Sequence, residues 1–423
     1  MPSISAEPPL LPSASTLLRE VRSSCTQCSL ALDEAAIDAL LQSIASSSYS
    51  RQPPSLRDYS LSLPLRWDSL GAELNFISLI ALLSILSPLQ KHIDALPSDT
   101  PGSPPPSPAM LTRQLLLGLY LSAPPSNHLS APSPLSAGHL AGIQENEVAE
   151  VLNLKIHVER KVEHIPVATL AERGGPGSEV VKRLTECLNR VGKRLVESRY
   201  VDLGAFVAET LRQCKGMGSE EEAMGTFVRR LASFLPLDFG ADSYTVSHPQ
   251  RGGEDVPLHL YKNAWYLLCA LVLRFSGADE EERSKLPWLP TTSSLDEDLP
   301  LLADGFVVES LVARGVLRLD EEEGSASSPG LAKLRNVLSS KGQASEHAQR
   351  VVLTADEYNV LRASVVSLGE ALRKRRGEIK EQGVAVTPAR LDAWLRRSGT
   401  PEAHRKVRLI IKDEGQISAA GMW

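Results

Sequence analysis

Apolar residues recur at intervals of three and four along much of the chain, the spacing that places them on one face of an α-helix. The clearest stripe lies in "GSEVVKRLTECLNRVGKRLVESRY" (177–200) and comprises Val180, Val181, Leu184, Leu188, Val191 and Leu195. The helical pattern is strong over 140–235. Strand patterns do not alternate with helical ones, which disfavours a parallel α/β sheet. The spacing therefore predicts a mostly α protein, a single large helical domain with at most a few short strands.

Several elements can be bounded from their apolar content and their end signals. Two runs are almost continuously apolar and predict buried helices: "LNFISLIALLSILSPL" (74–89), which is too short to span a bilayer comfortably, and "YKNAWYLLCALVLRF" (261–275). Asp33 and Thr387 each precede a helical pattern and are expected to cap it. The best strand candidate is "HRKVRLIIKD" (404–413).

Proline and serine concentrate in two stretches, near 96–110 and 122–138. Such stretches cannot supply regular backbone hydrogen bonds, and the segments between them are short and apolar. We interpret both as surface insertions within one domain. The predicted organisation is a flexible tail over 1–14, a helical domain over 15–412 and a second tail over 413–423.

The composition is that of an ordinary globular protein, with 42% hydrophobic residues in a chain of 423. The net charge of −6 disfavours direct binding to nucleic acid or to an anionic membrane. Five cysteines are typical of a reduced intracellular protein rather than of a disulfide framework. The first residues lack the basic and apolar regions of a secretory signal, so we expect a cytoplasmic protein.

Three short motifs suggest chemistry only weakly. "CTQC" (25–28) has no second ligand pair for zinc and no βαβ context for redox chemistry, so two half-buried helix cysteines are the better interpretation. "ERGGPGSE" (172–179) lacks the known phosphate-loop patterns, which favours a plain loop with Ser178 as a helix cap. His157 and His164 would share a helix face, but without carboxylate support they predict a solvated face. No metal site is expected.

Lys262 and Asp304 are the two charged residues lodged in the most apolar segments, "YKNAWYLLCALVLRF" and "LLADGFVVESLVARGVL" (301–317). An unpaired carboxylate is strongly disfavoured in an apolar interior. Asp304 therefore either caps the helix that follows it or directs its carboxylate into a pocket. Lys262 either extends from a helix end toward water or belongs to the same pocket. The pattern alone leaves both pairs of alternatives open.

Eight segments, taken in order, resemble the queuosine salvage proteins, a family of queuosine 5′-phosphate N-glycosylases, in a divergent fungal-type form. They are "PLRWDSLGAELNFISLIALLS" (64–84), "LTRQLLLGLYLSA" (111–123), "LTECLNRVGKRLVESRYVDLGAFV" (184–207), "FLPLDFGADSY" (234–244), "VPLHLYKNAWYLLCALVLRF" (256–275), "LADGFVVESLVARGVL" (302–317), "LRASVVSLGEAL" (361–372) and "RLDAWLRRSGTPEAHRKVRLII" (390–411). Their collinearity, which covers most of 15–412, is what makes the resemblance specific.

Short family motifs align with individual residues of this chain. The Tyr-Lys motif falls on Tyr261 and Lys262, and the Phe-Ala-Asp motif falls on the segment from Leu302 to Asp304, with leucine in place of phenylalanine. The Leu-Asp motif falls on Leu391 and Asp392. The His-Arg motif falls on His404 and Arg405.

The resemblance implies a helical fold of DNA-glycosylase-like character. It also implies hydrolysis of the N-glycosidic bond of queuosine 5′-phosphate, a small-molecule nucleotide, to release queuine for tRNA modification, without a cofactor. Cleavage builds positive charge on the ribose, so Asp304 is the candidate catalytic carboxylate and Lys262 its partner. The implied substrate-binding residues are Asp392, Leu302, Tyr261, Trp394, His404 and Arg405. Trp394, Trp265 and Tyr244 are candidate stacking surfaces, although core packing is the more common role of such residues.

Two other functions compete with this one. A helical scaffold that has lost catalysis can still bind a nucleobase, a nucleotide or a protein. Its distinguishing feature would be an Asp304 that only caps its own helix, rather than one that converges with Lys262 and Asp392. A DNA-repair glycosylase fits the acidic net charge poorly.

Overall fold

The computed structural model describes most of the chain. The described residues are 11–47, 54–59, 61, 65, 67–84, 90–96, 106–122, 133–161, 169–247, 255–276, 284–319, 328–339, 349–375, 386–398 and 407–411. Most of both Pro/Ser-rich stretches, the tail over 413–423 and the candidates His404 and Arg405 lie outside these ranges.

The described part is mostly helical, 62% in helices and 9% in strands, which confirms the predicted fold class. The elements of its first half are α1 (Leu17–Cys28), α2 (Glu34–Ser46), α3 (Leu70–Leu83), α4 (Gln90–Ile93), α5 (Pro108–Leu121), α6 (Ala137–Gly142), α7 (Glu145–Leu152), β1 (His157–Lys161), β2 (Thr169–Arg173), α8 (Ser178–Glu197) and α9 (Leu203–Cys214). Those of its second half are α10 (Glu220–Phe234), β3 (Ser243–Ser247), β4 (Asp255–His259), α11 (Lys262–Ser276), α12 (Thr292–Asp298), α13 (Gly305–Ala313), α14 (Pro329–Ser339), β5 (Gln349–Leu353), α15 (Ala355–Lys374), α16 (Pro388–Ser398) and β6 (Val407–Ile411).

Local sequence signals predicted several of these helices and strands, and some of their ends, correctly. Asp33 caps α2 by accepting a hydrogen bond from the Ala36 N–H at 2.9 Å, and Thr387 caps α16 through the Arg390 N–H at 3.2 Å. The predicted strand is β6. The predicted buried helices are α3, which starts at Leu70, and α11.

The region from His157 to Arg173 differs from the helical pattern predicted for 140–235. It contains the antiparallel pair β1 and β2, with His157 opposite Arg173. "HVERKVEH" holds only two apolar residues and so has no stripe for a helix to bury. Over His157–Lys161, cross-strand hydrogen bonds satisfy the backbone instead. The cap of α8 was also wrongly predicted, since Gly177 is its N-cap and Ser178 its first residue.

The chain divides into two compact units, one formed by Met1–Pro64 with Leu211–Trp423 and the other by Leu65–Thr210. In the second, α8 packs against α6 and α7, and α5 packs against α3 and α7. Buried Asn75 ties α3 to the loop before α6 and to the start of α9, because its side chain donates to the Leu135 carbonyl at 2.9 Å and accepts from the Leu203 N–H at 3.1 Å.

The first unit is organised around α15, which contacts α1, α13, α16 and β3. Most of its side chains from Glu357 to Leu372 are buried, and they include the charged Arg362. Two short antiparallel strands, β3 and β4, lead into α11, and Gly315 (φ +70°) ends the turn after α13, a conformation that favours glycine. All of the described residues that the resemblance implies for catalysis or substrate binding belong to this unit.

Candidate functional site

Asp304 is both a helix cap and a buried partner in an ion pair. One carboxylate oxygen, Oδ1, accepts the Val307 N–H at 2.9 Å and so caps α13. The other, Oδ2, lies 2.6 Å from a guanidinium nitrogen of Arg396, and the Asp304 side chain is 14% exposed. The helix-cap alternative is therefore correct, and the second carboxylate oxygen is held by an ion pair.

Arg396 joins Asp304 to Asp392. Its Nε donates to Oδ2 of Asp392 at 2.7 Å and its Nη2 to Oδ1 at 3.1 Å, while Nη2 also reaches Asp304. Asp392 and Arg396 are one turn apart on α16, which brings the two side chains together. The guanidinium carbon lies 5.2 Å from the centre of the Tyr59 ring, within range of a cation–π contact. A single guanidinium thus fixes both candidate carboxylates.

A second ion pair links Asp242 to Arg362. The guanidinium makes two parallel hydrogen bonds to the carboxylate, at 2.6 and 2.8 Å, the strong geometry for this pair. The Tyr244 hydroxyl donates to Asp242 at 2.9 Å. Arg362 Nε donates to the Ala303 carbonyl at 2.9 Å, and Ala303 directly precedes Asp304. This pair therefore also holds the backbone that carries Asp304.

Lys262 is placed by a strained turn at the start of α11. Tyr261 has φ +48°, an uncommon value for a bulky residue, and such outliers persist only where the surroundings enforce them. Here Asp242 enforces the φ of Tyr261 from both sides. Its carbonyl accepts a hydrogen bond from the Leu260 N–H at 2.9 Å, and its carboxylate accepts one from the Lys262 N–H at 3.0 Å. The turn and the Asp242 side chain together fix where Lys262 begins.

Six residues of the first unit form what we call the charged cluster: Asp242, Lys262, Asp304, Arg362, Asp392 and Arg396. It contains three acidic and three basic side chains, so its formal charges balance. Asp242, Arg362 and Asp392 are buried, whereas Lys262, Asp304 and Arg396 retain intermediate exposure.

The two carboxyl groups Asp304 and Asp392 of the charged cluster have pKa values shifted in opposite directions. Burial alone would raise the pKa of Asp304, but the charges of Arg396 and Lys262 and the Val307 N–H outweigh burial and hold that pKa below its usual value. Burial and the nearby Asp304 raise the pKa of Asp392, which Arg396 offsets only in part. Asp304 is therefore the more firmly ionised of these two carboxyl groups.

Lys262 differs from the two arginines of the cluster. Burial, aided by Arg362 and Arg396, lowers the pKa of Lys262 to about 8, although Asp304 and Asp242 act in the opposite direction. Burial also lowers the pKa of Arg396, but the charges of Asp304 and Asp392 outweigh burial and raise that pKa well above its usual value. Of the three basic side chains in the cluster, Lys262 is thus the one that can lose its proton near neutral pH.

A small polar group lies next to the strained turn. His259 Nδ1 lies 3.1 Å from the Ser243 hydroxyl and 3.3 Å from the Tyr261 hydroxyl, and the His259 and Tyr261 rings stack at 5.8 Å. Burial lowers the pKa of His259, although the charge of Glu20 opposes this. A neutral His259 that accepts hydrogen bonds at Nδ1 fits this arrangement.

The remaining described candidate residues pack in the core or make hydrogen bonds within the protein. Leu302 is 2% exposed and lies in the core. Trp394 is largely buried, donates to the Ser47 hydroxyl at 3.1 Å and has the Arg314 guanidinium 5.3 Å from its ring centre. Trp265 is also buried, and the Tyr244 hydroxyl bonds to Asp242 rather than being left for a ligand.

Sequence reasoning missed Asp242 and Arg396 as members of the site. For Arg396 a signal existed, since it follows Asp392 by four residues on a helix whose other charged residues had no such acidic partner in the pattern. Asp242 lies in a loop where no periodicity indicates which way a side chain faces. Arg362 lies in one of the eight segments that carry the resemblance, "LRASVVSLGEAL" (361–372), but was not predicted as a site residue.

The weak motifs form no site in the described residues. Cys25 and Cys28 are buried and form no disulfide, and burial raises the pKa of Cys25, which makes its thiol unreactive. His157 belongs to β1, and His164 lies outside the described ranges. In the part of the chain that is described, no three His, Cys, Asp or Glu side chains are arranged to hold a metal ion.

Comparison with known proteins gave no relative. No protein-family model matches the chain, and a search of the curated proteins found no match. The resemblance to the queuosine salvage proteins therefore stays a prediction drawn from the sequence. Among the described helices, none has the length and apolar character needed to cross a membrane.

Proposed function

We propose that the protein is an N-glycosidase of the cytoplasm that hydrolyses queuosine 5′-phosphate and releases queuine for tRNA modification. One observation carries the proposal: Asp304, Lys262 and Asp392 come from three separate elements and belong to one charged cluster. They are three of the eight site residues that the family resemblance implies.

The proposed chemistry uses Asp304 as the anion. As the bond between C1′ and the base nitrogen breaks, positive charge develops on the ribose, and a nearby carboxylate in a partly desolvated setting stabilises it. A carboxylate held ionised by Arg396 and Lys262 suits this role. Water then supplies the hydroxyl group at C1′, and its proton goes to the departing base.

The test is release of free queuine from queuosine 5′-phosphate by the full-length protein, followed by chromatography. Asp304→Asn removes the charge, and we expect the rate to fall by about 10²–10³-fold, as for loss of one electrostatic stabiliser. Asparagine is as good a helix cap as aspartate, but it removes the charge opposite Arg396, so the folded fraction of the variant is measured by circular dichroism and the rates are compared per folded protein.

Asp33→Asn is a matched control, because Asp33 caps α2 with the same 2.9 Å bond and lies outside the charged cluster. It should leave the rate unchanged. A wild-type protein that releases no queuine, or an Asp304→Asn variant of full activity, would refute the proposal.

A non-catalytic binding scaffold is the second candidate, and one observation favours it. Both carboxylate oxygens of Asp304 already accept hydrogen bonds, one from Val307 and one from Arg396, so the fold itself neutralises the anion. This candidate predicts that queuosine 5′-phosphate or queuine binds in calorimetry while no base is released.

A further inference from the structure

We propose that the outer edge of β2 joins two copies of this chain, with β2 of one copy paired antiparallel to β2 of the other about Ala171. The result is a four-stranded sheet in the order β1-β2-β2-β1 with a two-fold axis at its centre. Both strands belong to the second compact unit, and the inference does not depend on the proposed function.

The hairpin formed by β1 and β2 exposes both of its faces. Every side chain that the structure describes in it, over 157–160 and 170–173, is exposed. The apolar Val158 and Leu170 are 48% and 57% exposed, and they share one face because Leu170 lies opposite Arg160, two residues after Val158. Among the described residues, no third strand pairs with β1 or β2. A two-stranded hairpin is only marginally stable by itself, so a further strand would stabilise it.

Backbone groups of β2 point away from β1 at every second residue. The Gly174 N–H donates to the Ile156 carbonyl at 3.2 Å at the open end of the hairpin, and hydrogen-bonded pairs alternate with open pairs from there along the ladder. The residues of β2 whose N–H and C=O groups face its outer edge are therefore Thr169, Ala171 and Arg173. A two-fold axis at Ala171 matches two such edges, because Ala171 meets Ala171 and Thr169 meets Arg173, and each pair exchanges both of its backbone hydrogen bonds.

Charge distinguishes the edge of β2 from the edge of β1. Self-pairing of β1 about its central residue would place Glu159 opposite Glu159, and like charges directly opposite each other destabilise a sheet. The charged residues from Glu159 to Lys161 also follow one another without a break, which is typical of an edge strand protected from pairing. Self-pairing of β2 places Ala171 opposite Ala171 and Leu170 opposite Glu172, without like charges opposite each other. The edge that accepts a second copy is therefore that of β2.

The same pairing brings exposed apolar side chains together. Leu170 of one copy lies diagonally across the two-fold axis from Leu170 of the other, which is within reach of a long side chain. Glu172 is related to Glu172 of the second copy in the same way, but each forms an ion pair with its own Arg160 at 3.3 Å. The two leucines thus gain a contact while the two carboxylates keep their cations.

The first experiment places a cysteine on either edge of the hairpin in the full-length protein. The Cα atoms of a hydrogen-bonded antiparallel pair lie about 5.5 Å apart, which a disulfide can bridge. Ala171→Cys should therefore cross-link two chains under mild oxidation, giving a band of twice the chain mass on a non-reducing gel. Glu159→Cys, directly opposite on β1, is the control and should stay monomeric, and the five native cysteines are buried. Cross-linking of neither variant, or of Glu159→Cys to the same extent, overturns the proposal.

Proline at the same two positions tests the hydrogen bonds between the copies. Ala171→Pro removes an N–H that faces outward, so the hairpin keeps its own ladder while each copy loses a hydrogen bond to the other. Two five-residue strands bury less surface than a standard interface, so association is measured by sedimentation over about 1–100 μM. We expect Ala171→Pro to raise the dissociation constant of the dimer at least roughly tenfold.

Glu159→Pro is the matched control, because it makes the same change on the outer edge of β1. It should leave the dissociation constant unchanged, and circular dichroism of both variants verifies that they fold. A wild type that is monomeric over the whole range overturns the proposal. So does a dimer that Ala171→Pro fails to weaken, or one that both prolines weaken equally.

Discussion

Arg396 contacts Asp304 at 2.6 Å across 92 residues of sequence. The contact ties α16 to the first turn of α13, and the same guanidinium holds Asp392 from one helical turn away. A carboxylate that caps a helix would ordinarily face solvent. In this protein the cap is covered, and an arginine from a distant helix supplies the charge that burial requires.

Arg396→Met should destabilise the protein strongly. Two carboxylates would remain near each other without the cation between them, and removal of one partner from a buried pair typically costs about 3–5 kcal/mol. Urea denaturation at pH 7 measures the change. Arg375→Met is the control, since Arg375 pairs with the exposed Glu34 and Asp38 and should cost no more than about 1 kcal/mol. Equal losses in the two variants would contradict a buried role for Arg396.

The Asp242–Arg362 pair should show a large coupling energy in a double-mutant cycle. Asp242→Asn, Arg362→Met and the double variant isolate the pair, and we expect a coupling above about 1 kcal/mol because the contact is buried and made at two points. The same cycle for Glu179 and Arg183, a half-exposed pair one turn apart on α8, should give about 0.3–0.5 kcal/mol. A coupling energy for Asp242 and Arg362 that does not exceed this value would show that their ion pair contributes little to the stability of the protein.

The sequence predicted the elements better than their assembly. Helical spacing identified α8, because a buried stripe requires that period wherever the helix packs, and a nearly continuous apolar run identified α11. The pair β1 and β2 was missed, since "HVERKVEH" has too few apolar residues for any period to be read. Strands of five residues in two-stranded ladders leave little pattern in a sequence.

For the site, the sequence identified two charged residues in unusually apolar segments, but it did not identify their ion-pair partners. Lys262 and Asp304 were conspicuous because each is a charge in an apolar run. Their partners could not be found in this way, because an ion pair between α16 and α13 depends on how helices pack, which periodicity does not specify. Tyr261 shows the same limit, since its φ of +48° follows from hydrogen bonds to Asp242 and from nothing in its own identity.

Stability should fall as the pH is lowered through the range in which His259 titrates. An unfolded histidine has a pKa of about 6.5, and burial lowers the native pKa of His259. Below pH 6.5 the unfolded state therefore takes up the proton first, and the free energy of unfolding decreases until the pH passes the native pKa. Protonation of Nδ1 would also end its acceptance of the Ser243 and Tyr261 hydroxyls.

Urea midpoints between pH 7.5 and pH 5 measure this dependence for the wild type and for His259→Gln. The fall should be smaller in His259→Gln and unchanged in His139→Gln, a variant of the half-exposed histidine beside Glu147. An identical pH profile for wild type and His259→Gln would exclude His259 as its source.

Leu302→Phe restores the residue expected from the family motif, and we expect it to lower stability without raising activity. Leu302 is 2% exposed, so a larger ring must displace core neighbours, at a typical cost of about 1–3 kcal/mol. A side chain enclosed in the core offers no face on which a base can stack. Leu301→Phe is the matched control, because Leu301 is equally buried and should be destabilised to a similar extent. Thermal unfolding tests the expected loss of stability, and queuine release measured on the same samples tests the expected lack of a gain in activity. A several-fold gain in release confined to Leu302→Phe would show that this position reaches the substrate.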